Sequence, residues 1–131
     1  AFRLVIPMAE LSPRPTSWFP TTFGAPAFWA APMVGQSELA FRMLVRRHGA
    51  TVCSTPMIDA PGYAKSESYR KEFTWSPEDR PLVVQFGGSD AESLVTAAKL
   101  VVGHCDAIEL NCGCPQQCAR KGGYGAWLME Q

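Results

Sequence analysis

Apolar residues gather in four short runs, each closed by proline, glycine or an amide side chain. They are Ala27-Phe28-Trp29-Ala30-Ala31, Thr51-Val52-Cys53-Ser54-Thr55, Leu82-Val83-Val84-Gln85-Phe86 and Ala107-Ile108-Glu109-Leu110. Runs this short, rich in β-branched and apolar side chains, predict buried strands. Between the first two, Ala40, Phe41, Leu44 and Val45 recur at helical spacing up to His48. Ser37 is the expected N-cap there, Glu38 suits the first turn, and Gly49 is a natural terminator. Leu94, Ala97, Ala98 and Val101 share the face of another helix, introduced by a Ser89/Glu92 capping box and closed by Gly103.

The predicted order is strand, helix, strand, long loop, strand, helix, strand, then a loop and the start of a further helix at Trp127–Gln131. Alternation of this kind argues for α/β architecture with parallel strands. Two arrangements satisfy it, a doubly wound sheet and a (β/α)8 barrel. A closed barrel needs at least ~200 residues, so a chain of 131 holds about half of one.

Two segments fall outside the pattern. Residues 1–25 carry Pro7, Pro13, Pro15 and Pro20 among scattered Ser and Thr, and read as an irregular, Pro-rich lead. The Arg3-to-Ile6 run is too short to change that reading. Glu10 and the prolines speak against an amphipathic transit helix. Residues 57–80 are long for a connection, hold Pro61-Gly62, Tyr63, Tyr69 and Trp75, and predict a lid or a short helix. The chain opens without Met and stops inside a helical pattern, so both ends read as cuts.

Composition refines this picture only slightly. Hydrophobic residues make up 47% and charged residues 18%, which fits a packed core and not a disordered tail. Twelve basic residues balance twelve acidic ones, so net charge carries no argument for nucleic acid. The Arg42, Arg46 and Arg47 group reads first as a solvated helix face. Five cysteines, an odd number without a signal peptide, point away from a disulfide framework and toward a reducing cytosol or nucleus. No apolar run approaches the ~18 residues of a membrane span.

Candidate chemistry lies at the strand ends, because parallel α/β folds gather their sites at the carboxyl edge of the sheet. The first run ends in Pro32-Met33, the second in Thr55-Pro56-Met57, the third carries Gln85, and the fourth ends in Asn111 with Cys114 just beyond. Gln85 offers an amide donor and acceptor, and Gly87-Gly88 would let backbone approach a flat ligand. A plain pairing of Gln85 with a neighbouring strand end is the equal alternative. Cys114 precedes Pro115 and is biased toward extended backbone. An ordinary thiol, pKa about 8.5, is mostly protonated at pH 7 and can serve as a general acid. At a helix N-terminus it would instead become a nucleophile, and both roles stay open. Cys105, Cys112, Cys114 and Cys118 follow the spacing C-x6-C-x-C-x3-C, which matches neither zinc nor iron–sulfur patterns and argues against a metal. Gly122, Gly123 and Gly125 beside Lys121 lack Walker and dinucleotide spacing.

Taken together, several of these motifs resemble the tRNA-dihydrouridine synthase family. They are Ala31-Pro32-Met33-Val34 with Arg42 and Gly49-Ala50, Asp79 to Phe86, Asn111-Cys112-Gly113-Cys114-Pro115-Gln116, and Lys121 to Ala126. Tyr69-Arg70-Lys71-Glu72 and Cys114-Pro115-Gln116 are similar to the eukaryotic branch acting at positions 16 and 17 of the tRNA D-loop. The likeness covers residues 26–131 and not the lead.

That resemblance implies an FMN-binding (β/α)8 TIM barrel, of which residues 26–131 would form the N-terminal half with its first four strands. A helical RNA-binding domain would follow. It implies that Pro32, Met33 and Val34 line the flavin floor and that Gln85 bonds the isoalloxazine edge. Asn111 would hold the target uracil. NADPH, or NADH, would reduce FMN, hydride would pass to C6 of uracil, and Cys114 would give a proton to C5. The target base must leave its stack to be reached. The sequence departs from the family at Gly35, where Asp is usual, and at Glu109, where Asp is common. The family's Lys and His partners of flavin and substrate fall beyond residue 131.

The expected function is therefore reduction of uridine to 5,6-dihydrouridine in tRNA, by an enzyme of which this is the front part. No membrane and no metal enter this reading. The alternative is a catalytically inactive remnant that binds RNA or pairs with another chain across the open half barrel. A flavin barrel reducing a free pyrimidine is a third possibility, disfavoured by Cys114-Pro115-Gln116.

Overall fold

The computed structural model describes residues 3–7 and 18–130. Its central elements are four parallel strands: β2 (Trp29–Ala30), β3 (Val52–Ser54), β5 (Leu82–Gly87) and β6 (Ala107–Asn111). They lie in the order β2-β3-β5-β6, each beside the next in sequence. A doubly wound sheet would reverse direction at a switch point. These four strands do not, so their order is that of the first half of a (β/α)8 barrel.

The short strand β4 (Ile58–Asp59) pairs in parallel with Phe86 and Gly87 of β5, beyond the residues that β3 takes. β3 and β4 thus form one interrupted edge. Pro56 lies in the interruption, where it has no N–H to give a ladder.

The two faces of the sheet divide the core. Leu82, Val84, Phe86 and Ile108 point toward the helices and bury Ala97, Val101, Cys105, Ala60 and Tyr63 with them. Ala97 and Val101 come from α5 (Ala91–Leu100) and its end, Ala60 and Tyr63 from α3 (Ala60–Lys65). Alternation then sends Val52, Val83 and Ala107 to the opposite face, with Phe23, Ala27 and Trp29. On that inner face Trp29 Nε1 donates to Ser54 Oγ at 2.8 Å, and Ser54 Oγ donates to Glu109 Oε2 at 3.3 Å. β5 lies between β3 and β6, so this last bond spans an intervening strand. The long side chain of Glu109 makes that reach.

The Arg42, Arg46 and Arg47 group is not the expected solvated face, since Arg42 is buried and both Arg42 and Arg46 pair with Asp79. Three further expectations need correction. The helix α2 (Leu39–Arg47) has Glu38 at its N-cap without a side-chain bond. Ser37 is buried instead, accepting from Met33 N–H at 2.8 Å and donating to Met33 O at 3.0 Å. The α5 cap is Asp90, whose side chain accepts from Ser93 N–H; Ser89 Oγ turns to Gly122 O at 3.4 Å. A carboxylate one residue closer to the helix displaces the expected Ser89/Glu92 box.

The third correction concerns the lead, of which residues 1, 2 and 8–17 lie outside the described residues. β1 (Arg3–Pro7) pairs antiparallel with β6, from Arg3 opposite Asn111 to Pro7 opposite Ala107. The β6 edge presents unpaired backbone groups, and satisfying them outweighs the shortness of the run. It is the edge a fifth barrel strand would take. α1 (Trp18–Phe23) contains Pro20, but in its first turn, where no intrahelical donor is lost. Phe19 and Phe23, four residues apart, stack edge to face at 4.9 Å, and Phe23 meets Trp29 at 5.4 Å. α1 thereby covers the inner face.

The long connection holds α3 and α4 (Glu67–Arg70). Their caps are Asp59, accepting from Gly62 N–H at 2.7 Å, and Ser66, accepting from Tyr69 N–H at 3.2 Å. Gly88 is close to Ala60 and Leu94, so its missing side chain lets α3 and α5 meet over the sheet. After β6 come α6 (Gln117–Gly122) and a 3-10 helix over Gly125–Glu130. Pro115 precedes the N-cap Gln116 and so lies in the turn just outside the helix. The expected terminal helix is this 3-10 turn; Gln131 lies outside the described residues.

Candidate active site at the carboxyl ends of the strands

β5 and β6 are in register with Gln85 opposite Glu109. Asn111, two residues further along β6, projects from the same face as Gln85. Their side chains meet: Asn111 Nδ2 donates to Gln85 Oε1 at 3.1 Å. Gln85 is 4% exposed, and its backbone N–H donates to Thr55 Oγ1 at 3.1 Å. Thr55 Oγ1 in turn donates to Pro56 O at 2.9 Å. The plain pairing of strand ends is thus present, and it uses only the oxygen of the Gln85 amide. The Nε2 hydrogens remain the donor set of that side chain.

Asn111 Oδ1 accepts from Gly113 N–H at 3.1 Å and from Cys114 N–H at 3.0 Å. This is an Asx-type turn, in which a short amide side chain stands in for a backbone carbonyl. It turns the chain abruptly at the strand end and leaves Cys114 half-buried beside Asn111. On the far side, Ala126 N–H donates to Cys114 O at 3.1 Å. Gly125 has φ +68°, and a Cβ there would stand 2.5 Å from Cys114 O. Only glycine permits that approach. Sequence reasoning tested these glycines for phosphate binding and missed this packing role.

Pro32, Met33 and Val34 follow β2. The Met33 backbone is committed locally, to Ser37 and to the N–H of Gln36. Val34 is 71% exposed and open to contact. The close approach foreseen at Gly87 is made by the protein itself, since Met57 Sδ lies 2.7 Å from where its Cβ would be. A cavity of about 310 Å3 opens nearby, between Val34, Glu38, Thr55, Met57, Tyr69 and Glu72 among others. Val34 lines it with the strand end Thr55-Pro56-Met57, and Pro32, Met33, Gln85, Asn111 and Cys114 do not.

The thiols separate by environment. Burial raises the Cys53 thiol pKa and pushes that of Cys105 up to about 12, so both stay protonated and inert. Near Cys114, the Tyr124 phenol is pushed up to about 12, first by its hydrogen bond with Cys118 and then by burial. It therefore stays neutral across the physiological range. Among the described residues, no group of three or more His, Cys, Asp or Glu could hold a metal ion, and no helix is long and apolar enough to cross a membrane.

The family sequence model described as dihydrouridine synthase matches residues 29–131. The chain belongs to that family. It is 52% identical over 113 residues to mouse "tRNA-dihydrouridine(16/17) synthase [NAD(P)(+)]-like", covering 84% of this chain and 24% of the relative. A Saccharomyces cerevisiae tRNA-dihydrouridine(16/17) synthase is 54% identical over 113 residues, 82% of this chain and 26% of its own length. A human tRNA-dihydrouridine(20a/20b) synthase-like protein is 48% identical over 102 residues, 77% of this chain and 32% of its own. The chain spans about a quarter to a third of these dihydrouridine synthases. Within the family frame, Gln85, Asn111 and Cys114 converge at adjacent strand ends, whereas Pro32 to Val34 approach from the other side of β3.

Proposed function

We propose that this chain supplies the first strands and the proton donor of a flavin-dependent synthase that reduces uridine in the tRNA D-loop to 5,6-dihydrouridine. The observation that carries the reading is the meeting of Gln85, Asn111 and Cys114 at the carboxyl ends of β5 and β6. The relatives named for positions 16/17 and for NAD(P) favour tRNA as substrate and a nicotinamide as reductant.

The residues present suit the ring end of FMN. Gln85 keeps amide donors for a ring carbonyl, and the exposed Val34 with Pro32 and Met33 offers an apolar floor. FMN, when bound and reduced by NADPH or NADH, supplies the hydride for C6 of uracil. Asn111 has one Nδ2 hydrogen beyond its bond to Gln85 and would donate it to a uracil carbonyl, fixing the base in plane. Cys114 would deliver its proton to C5, where negative charge develops as hydride reaches C6, leaving a thiolate that solvent reprotonates. General-acid transfer of this kind contributes roughly 10²–10⁴-fold. Five free thiols fit a reducing cytosol or nucleus.

The test uses the protein expressed from its full reading frame, with FMN, NADPH and unmodified tRNA. Dihydrouridine formed in the D-loop is the expected result. RNA binding without reduction would replace this reading by the inactive binding module, and reduction of free uracil alone would replace it by a pyrimidine reductase.

A further inference from the structure

We propose that Asn111 is a positioning residue for Cys114, separate from any contact it makes with uracil. Its amide oxygen builds the turn that carries the thiol, and Gln85 fixes which way that amide faces. Oδ1 takes two backbone N–H groups, from Gly113 and Cys114. If the amide were flipped, its NH2 would face those same two donors. The bond from Nδ2 to Gln85 Oε1 adds to this, because a flip would set oxygen against oxygen unless Gln85 turned its own amide as well. Ala126 N–H holds the other side of the same residue, the peptide unit that follows it, through Cys114 O, with Gly125 packed beneath it. The backbone of Cys114 is therefore clamped on both sides by groups of this chain alone. A proton donor must lie within about 3 Å of its acceptor, and small misplacements of a reacting group cost rate steeply. The clamp sets that position before any ligand arrives.

Two substitutions separate the roles of Asn111. Asn111→Ala removes both the turn acceptor and the donor for substrate. Asn111→Asp keeps an acceptor for Gly113 and Cys114 N–H, and Gln85 can rotate its own amide to donate to the other oxygen. It loses only the donor toward substrate. Asp should therefore rescue the clamp without rescuing uracil binding.

The inference takes its reaction from the proposed function, but its readout does not depend on turnover. In the full-length protein, alkylation of each cysteine by iodoacetamide is followed by peptide mass spectrometry, and limiting rates at high pH are compared. The loss of one or two net hydrogen bonds predicts that Cys114 reacts about threefold faster or more in Asn111→Ala. In Asn111→Asp its rate should stay within about 1.5-fold of wild type, with Cys118 unchanged in both. An unchanged Cys114 rate in Asn111→Ala, or an equal gain in Asn111→Asp, overturns the proposal. Protection of buried Cys53 and Cys105 reports folding. If Asn111→Ala exposes them, Gln85→Met is read instead: faster Cys114 alkylation supports the clamp and an unchanged rate overturns it. Dihydrouridine formation is measured on the same preparations. The expected alkylation pattern in a wild-type protein that makes no dihydrouridine removes the reaction and leaves the clamp. Dihydrouridine formation with an unaltered Cys114 rate in the variants removes the clamp and leaves the reaction.

Discussion

The two ends of β3 and β5 carry polar networks of opposite character. At the N-terminal ends, Asp79 is fully buried and receives Arg42 Nε at 2.8 Å and Arg46 Nε at 3.0 Å. The remaining guanidinium groups are taken up by Ser37 O, Thr74 O, Pro81 O and Thr51 O. At the C-terminal ends, Thr55, Gln85, Asn111 and Cys114 form a chain of neutral bonds that leaves amide hydrogens over. The first network is closed, ionic and staples α2 to the segment before β5. The second is neutral, and its bonds leave the Gln85 Nε2 hydrogens and one Asn111 Nδ2 hydrogen over. Barrel proteins place stability at the lower face and chemistry at the upper one, and the difference in hydrogen-bond completeness is the physical form of that division.

Breaking the closed network should have the largest effect on stability. Asp79→Ala leaves two guanidinium groups facing each other without their shared carboxylate, and is expected to cost about 3–5 kcal/mol. Urea denaturation of the full-length protein measures it; a loss under about 1 kcal/mol would show that water reaches the cluster. Gly125→Ala comes next. It places a methyl group against Cys114 O in a backbone conformation that L residues rarely adopt, costing about 1–3 kcal/mol. It should lower turnover more than FMN affinity. Equal losses in both would blur the boundary between the two networks.

Asp90 gives the smallest effect, and one that depends on pH. Its hydrogen bonds from Ser93 hold the carboxyl below the ordinary carboxylate range. A depressed folded pKa contributes stability above the unfolded value, about 3.9, and that contribution is lost as pH falls through the lower folded value. The stability gap between wild type and Asp90→Ala should therefore be present at pH 7 and shrink below about pH 4. A gap that widens in acid would contradict the cap.

The four parallel strands and the helices α2 and α5 were legible because each is bounded by its own proline, glycine or cap. Even there the caps were misplaced at Ser37 and Ser89, since a serine near a helix start does not show whether it turns to the helix or to a neighbouring loop. β1 was not legible: a five-residue run becomes a strand only through the edge it finds on β6. α1 was hidden by Pro20, which breaks helices in their interior but not in their first turn. The choice between barrel and doubly wound sheet needed strand order, which no local pattern carries. In the site, Asn111 and Cys114 stood out by their spacing from Pro115. Their partner Gln85 lies 26 residues away, and the contact follows only from the register of β5 against β6. The Gly125 contact is likewise invisible until the turn after α6 folds back onto Cys114.

The central claim is that Cys114, held at the end of β6, is the proton donor to uridine. Cys114→Ala in the full-length protein tests it most directly, with FMN content measured from flavin absorbance and dihydrouridine formation measured on unmodified tRNA. Undiminished FMN content with a loss of at least about 100-fold in dihydrouridine formation is expected. Turnover equal to wild type would contradict the assignment.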